Sequence, residues 1–154
     1  MSNITLPLDY VNTLIYELEK AFWDERGKGA RFRMTTIGQE YFNGKVLPNL
    51  KSDEIEKILP AIEEVLKSEG IAADFSYSRE DRLLRLQIKG CIHRQVEERM
   101  IAKGIEPFTC VPANLIVLAI ESKLDIPVEL AEIKVEEGSC QLLLVLFEKR
   151  PVLG

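Results

Sequence analysis

The sequence predicts an α+β domain, an antiparallel sheet of two hairpins packed by N-terminal helices and a buried central helix. Three observations lead there. Apolar residues recur at helical spacing as far as Gly70, the period then switches to two over residues 75–89, and a second helical stretch and a second strand pair follow. The chain has 154 residues, 46% of them hydrophobic, which is enough for one sizeable core, so residues 1–154 are expected to be a single domain.

Pro7 opens the first element. Leu8, Val11, Leu14, Ile15, Leu18 and Phe22 form one apolar stripe, predicting a helix from Leu8 to Arg26 that stops at Gly27-Lys28-Gly29. Ala30, Met34, Ile37 and Tyr41 share a second helical face that ends at Asn43-Gly44. Asp53 with Glu56 three residues on reads as a capping-box start for a stripe of Ile55, Ile58, Leu59, Ile62 and Leu66, closed by Gly70. Pro60 lies inside that stripe and is expected to kink or split it. Phe75 and Tyr77, a polar break at Arg79-Glu80-Asp81-Arg82, and Leu84, Leu86 and Ile88 make a hairpin with one wet face. Residues 94–103 form a short charged helix closed by Gly104. Pro112 suits a first helical turn, and Leu115 to Leu124 is apolar nearly all round, hence buried. Val128, Leu130, Ile133 and Val135 alternate imperfectly before a turn at Glu137-Gly138. The run Gln141–Phe147 then reads as a buried strand.

Charge narrows the partners. Twenty Lys and Arg stand against 25 Asp and Glu, a net charge of −5 with no basic run, so no positive footprint for nucleic acid or an anionic membrane exists. No apolar stretch reaches the roughly 18 residues that a membrane helix needs. The N-terminal MSNITLPLDY lacks the basic start and apolar block of a signal peptide. The expected compartment is therefore the reducing cytoplasm, where three cysteines are read as thiols or metal ligands rather than a disulfide framework.

Those cysteines and the single histidine are the one unusual asset. Cys91 and His93 close the first hairpin, Cys110 lies in the loop before the buried helix, and Cys140 begins the last strand. All four sit at element ends, where backbone can turn side chains toward a shared point. Three thiolates and an imidazole suit zinc, which favours a closed tetrahedral set of sulfur and nitrogen donors. The spacing, Cys-x-His, sixteen residues, Cys, twenty-nine residues, Cys, lacks a Cys-x-x-Cys knuckle. On spacing alone three separately buried core thiols are therefore the favoured reading, with a zinc site second and a Cys91–Cys110 disulfide a lesser one. Catalysis has thinner support. Cys91 and His93 resemble a thiolate–imidazole pair without an orienting partner, and Glu97 and Glu98, like Glu136 and Glu137, read as solvated charges. No glycine-rich phosphate loop follows a strand. The aromatics are core material by default, yet Trp23, Phe32, Tyr41 and Phe108 are enough to line an apolar pocket between the N-terminal helices and the sheet.

In its order of elements the chain resembles the 4-vinyl-reductase-like family, also called hydrocarbon-binding or small-molecule-binding domains. The residues that carry the likeness are Gly29-Ala30-Arg31-Phe32-Arg33-Met34, Ile37-Gly38-Gln39-Glu40-Tyr41, Ser68-Glu69-Gly70-Ile71, the hairpin closing on Cys91, Cys110-Val111-Pro112 before the apolar helix, and Cys140 in the last hairpin. The resemblance implies an α+β sensor or carrier for an aromatic or tetrapyrrole-like apolar molecule, noncatalytic, often a homodimer, with a zinc held mostly by cysteines near the pocket. It implies Cys91, Cys110 and Cys140 as ligands. The family's last hairpin often carries an acidic residue and two cysteines, whereas this chain has Glu136-Glu137-Gly138-Ser139-Cys140, so His93 or Glu136 is expected to fill the missing place. A protein partner would supply the output. The rival expectations are a reductase-associated or thiol-dependent enzyme component using Cys91 and His93, and an assembly protein with a vestigial pocket.

Overall fold

The computed structural model describes residues 5–27 and 37–148, and its main core lies against one face of a four-stranded sheet. Four antiparallel strands, β1 (Asp74–Glu80), β2 (Leu83–Lys89), β3 (Val128–Glu136) and β4 (Ser139–Leu146), lie in the order β1-β2-β4-β3. Each hairpin pairs its own strands, and the two are joined where β2 meets β4, with Leu86 opposite Leu142 and Ile88 opposite Cys140. The fold is thus α+β with an antiparallel sheet of two hairpins, as the periodicities predict.

One face of the sheet carries Phe75, Leu84, Leu86, Ile88, Leu130, Leu142, Leu144 and Leu146, all buried. Two helices cover it. α3 (Ile55–Ser68) contributes Ile55, Ile58, Leu59, Ile62 and Leu66, and α5 (Val111–Leu124) contributes Leu115, Ile116, Ala119 and Ile120. Truncating any one of the large side chains here to Ala is worth about 2–5 kcal/mol, from lost transfer energy plus the cavity left behind. A short helix α2 (Gln39–Tyr41) runs through a single π-turn (Phe42–Val46) into a 3₁₀ turn (Leu47–Asn49) and seats Phe42 and Val46 in the same core.

Several local expectations are modified. Asn43-Gly44 does not end the second helix; both residues lie within the π-turn, because Phe42 and Val46 must both reach the core. The Ala30 and Met34 part of that helix lies outside the described residues. Glu54, rather than Asp53, caps α3, with its N–H donating to Ser52 Oγ at 3.0 Å. Pro60 does not split α3. The carbonyl it frees, on Glu56, is at the exposed surface where water can satisfy it.

α1 (Leu8–Arg26) forms where its stripe predicts but faces otherwise than an amphipathic helix should. Its buried residue is Asn12, while Leu14 and Leu18 are 42% and 72% exposed. It packs chiefly on α4 (Arg94–Ala102). Tyr16, Phe22 and Trp23 of α1 meet Met100, Ile105 and Phe108 in a small cluster apart from the main core. No described helix is long and apolar enough to cross a membrane.

The turn out of β2 has the closest approach among the described glycines. Gly90 sits at φ +64°, and a Cβ there would lie 2.6 Å from the Cβ of Ala73. Gly104 has φ +78° with open space around it. Gly104→Ala should therefore cost about 1 kcal/mol for the left-handed backbone alone, and Gly90→Ala roughly 3 kcal/mol, since it adds a clash. Urea unfolding of the two variants measures the difference, and equal costs would remove the role assigned to the Gly90–Ala73 approach.

Candidate functional site

Gly90 delivers the chain from β2 directly to Cys91, and Ile92 N–H donates to Ile71 O at 3.0 Å, tying that turn to the end of α3. His93 follows as the N-cap residue of α4, and its backbone N–H points at Cys91 Sγ, 3.4 Å away. Cys110 caps α5 in an extended conformation, its carbonyl accepting from Asn114 N–H at 2.8 Å. Asn114, buried one turn into α5, donates to Thr109 Oγ1 and to Ile37 O, which fastens the loop carrying Cys110. Cys140 is the second residue of β4, opposite Ile88 on one side and Val135 on the other. The three cysteines are near enough to act on one another electrostatically.

Sequence reasoning missed a buried carboxyl that acts on these thiols. Glu97, taken as a solvated helix charge, is only 6% exposed, on the same side of α4 as the buried Val96 and Met100. Its Oε2 is buried with no hydrogen-bond partner. The signal was there to read: Val96, Glu97 and Met100 fall together at helical spacing, so a helix that buries two of them carries the third inward.

The four groups feel one another. Burial, then the carboxylate of Glu97 and the neighbouring thiols, pushes Cys110 well above the ordinary thiol range. Burial lifts Cys91 to about 12, with Glu97 and Cys140 adding to it against the His93 backbone N–H. Burial and Glu97 take Cys140 to about 11, against the opposing charge of Arg94. Glu97 itself is raised to about 7, mainly by burial. On α1, burial and the charge of Glu97 raise Glu19 to about 8. All three cysteines are free thiols, so no Cys91–Cys110 disulfide is present. Burial of this kind disfavours the thiolate that nucleophilic attack requires.

His93 turns the other way. The Asn12 amide is fixed by its Nδ2, which donates to Ile92 O at 2.7 Å, so Asn12 Oδ1 is left to accept from His93 Nδ1–H at 3.1 Å. The ring is thus pinned to α1, and burial holds its pKa below the ordinary value, keeping it neutral. Glu136 is exposed at the end of β3, where its carbonyl accepts from Arg94 Nη2. Among the described residues no three His, Cys, Asp or Glu side chains already stand where they could hold one metal ion together.

Of the four aromatics expected to line a pocket, two meet. Trp23 and Phe108 stack with ring centroids 5.6 Å apart at 25°. Tyr41 packs against the main core instead, and Phe32 lies outside the described residues. A groove of about 440 Å³ opens beside the Trp23–Phe108 cluster, between the end of α4 and β3; Ile101, Ile105, Pro107, Ala131 and Ile133 form its apolar part, and Glu106, Glu132 and Lys134 its rim. No protein-family model matches the chain, and no curated protein is similar enough to count as a match.

The carboxyl pair sets a pH dependence for the metal-free protein. Folded Glu97 and Glu19 keep their protons up to about 7 and 8, whereas the unfolded chain loses them near 4.5, so stability falls as pH rises between those limits and then levels off. Glu97 alone accounts for roughly 3 kcal/mol of that fall. Glu97→Gln, neutral throughout, should remove its share of the slope and leave that of Glu19. Denaturant unfolding in the presence of a chelator, repeated across the range, checks the slope; an unchanged slope in the variant would exclude Glu97 as its source.

Proposed function

We propose that the chain is a noncatalytic binding module, a sensor or carrier for a small apolar or aromatic molecule, whose loops are pinned by a zinc-type site built on Cys91, Cys110 and Cys140. One observation carries the metal part: the half-buried Cys91, the buried Cys110 and Cys140, and a buried, unpartnered carboxyl oxygen of Glu97 lie near enough to perturb one another's protonation. Leaving Glu97 Oε2 without a partner is costly in a dry interior, and a cation is the partner its chemistry asks for. The donor set fits a borderline-soft divalent ion, and such an ion would supply a redox-inert cross-link between the β2 turn, the start of α5 and β4. The thiols stand on anchored backbone but do not form a finished cage, so closing the site takes side-chain rotation. Arg94, close enough to lower the pKa of Cys140, would offset part of the negative charge of a thiolate-rich centre.

The ligand part rests on the Trp23–Phe108 stack and the apolar groove that shares Ile105 with its cluster. A planar apolar ligand would pack on Ile101, Ile105 and Ile133, beside the half-buried Trp23 and the buried Phe108, which suits a tetrapyrrole-like or smaller molecule. The pairing of an aromatic platform with a cysteine-rich centre is also what the resemblance to the 4-vinyl-reductase-like family leads one to expect. The exposed Leu14 and Leu18 of α1 favour a homodimer, since an apolar stripe of this kind is usually covered. Reduced thiols suit the cytoplasm, and output would pass through a protein partner.

Two measurements test this. Native mass spectrometry and elemental analysis of protein purified without added metal should find one zinc per chain; no metal, with three freely titrating thiols, would sink the site. Trp23, the sole tryptophan, is a built-in reporter for the ligand. Titration with anilinonaphthalene sulfonate should quench it, and Phe108→Ala should weaken the probe several-fold; an unaffected Trp23 signal would move the ligand elsewhere.

A further inference from the structure

We infer that the outer face of the sheet is an interface between two copies of this chain, stacked two-fold with β4 over β4 and the β2 side of each over the β3 side of the other. This rests on the homodimer of the reading above, and on neither its metal nor its ligand. The surface is distinct from the exposed stripe of α1. Residues 142–147 are apolar at every position, the pattern of a strand buried on both faces. The described chain covers only one of them. Leu142, Leu144 and Leu146 belong to the core under α3 and α5, whereas Leu143 and Val145 point the other way and stay half-buried, next to the half-buried Leu83 of β2. Apart from Ser139, no residue of that outer face is buried.

Its charges fall into two columns. Arg85 and Lys89 stand on the β2 side of β4; Glu129, Glu132 and Glu136 stand on the β3 side, with Lys134 bonded to Glu132 at 2.9 Å. The strand registers set their heights. Arg85, Leu143 and Glu132 form one row across the sheet, and Lys89, Ser139 and Glu136 another. A two-fold axis along β4 exchanges the columns, so basic meets acidic at both rows while Leu143 and Val145 meet their own counterparts. Aligned sheets cross at about 30°, so the match is closest for Arg85 over the partner's Glu132, beside Leu143. Four strands about 4.8 Å apart and some seven residues long give a face of roughly 20 by 25 Å. Two copies then bury on the order of 1,000 Å², near the lower bound for a specific interface, so the dimer should be weak.

Sedimentation velocity on the reduced full chain, run from low to high micromolar concentration, reads the assembly. A dimer should grow in with concentration and weaken with added salt. Arg85→Glu and Glu132→Arg each set like charges against one another twice in the symmetric pair, and each alone should weaken association roughly tenfold or more. An equimolar mixture of the two variants should regain it, because every reversed charge of one then meets its opposite on the other. Neither position is buried, and a loss caused by misfolding would not return on mixing. Reversals without effect, or a mixture that stays monomeric, overturn the sheet pairing. A dimer that Leu14→Lys with Leu18→Lys breaks, and both reversals leave whole, also overturns it and keeps the homodimer on α1. A wild type that is monomeric throughout overturns the homodimer itself.

Discussion

Two hairpins that are far apart in sequence become one sheet only where β2 lies against β4, and the rest of the molecule is arranged around that seam. Leu84, Leu86 and Ile88 on one side and Leu142 and Leu144 on the other make the centre of the buried face, which gives α3 and α5 their common floor. The same pairing sets the position of the sulfur atoms. With Ile88 opposite Cys140, the exit from β2 through Gly90 has to place Cys91 near the start of β4. A slip of one residue in this register would turn Cys140 to the outer face and scatter the group.

A second tension runs along the contact between α1 and α4. A helix usually docks through its apolar stripe, because area removed from water is the main stabilising term. α1 instead turns Asn12 inward, keeps Glu19 half-buried and leaves Leu14 and Leu18 out. Asn12 compensates through two well-placed hydrogen bonds that fix the Ile92–His93 turn, and Arg99 adds an ion pair to Asp9 at 2.8 Å. Glu19 and Glu97 have no such compensation and hold their protons instead.

Much of the architecture was legible in the sequence because it follows from local periodicity. Both hairpins, the turn at Glu137-Gly138, the buried α5 and the placement of every cysteine at an element end came from spacing alone. Even the imperfect alternation of Val128, Leu130, Ile133 and Val135 has a cause: the register shifts between Leu130 and Glu132, a bulge that returns Ile133 and Val135 to the face of Leu130. What was not legible depends on which neighbour a face meets. The stripe of α1 was visible but its direction was not, since that is decided by α4. Glu97 was read by its charge, and its neighbours Val96 and Met100 outweighed that charge. Tyr41 and Trp23 were both plausible pocket walls until packing put one in the main core and the other on Phe108.

The attachment of α1 has a kinetic side. It is held mainly by one other helix, through a small apolar cluster and a few polar anchors, while the sheet, α3 and α5 share the main core. A unit joined so lightly can open by itself at a free energy well below that of global unfolding. Its amide protons would then exchange with solvent sooner than those of β2 and β4, and each such opening would uncover His93 and Glu97 while the strands stay paired. Reagents, ions and protons would reach the sulfur atoms by that door, at a rate set by the Asn12 clamp.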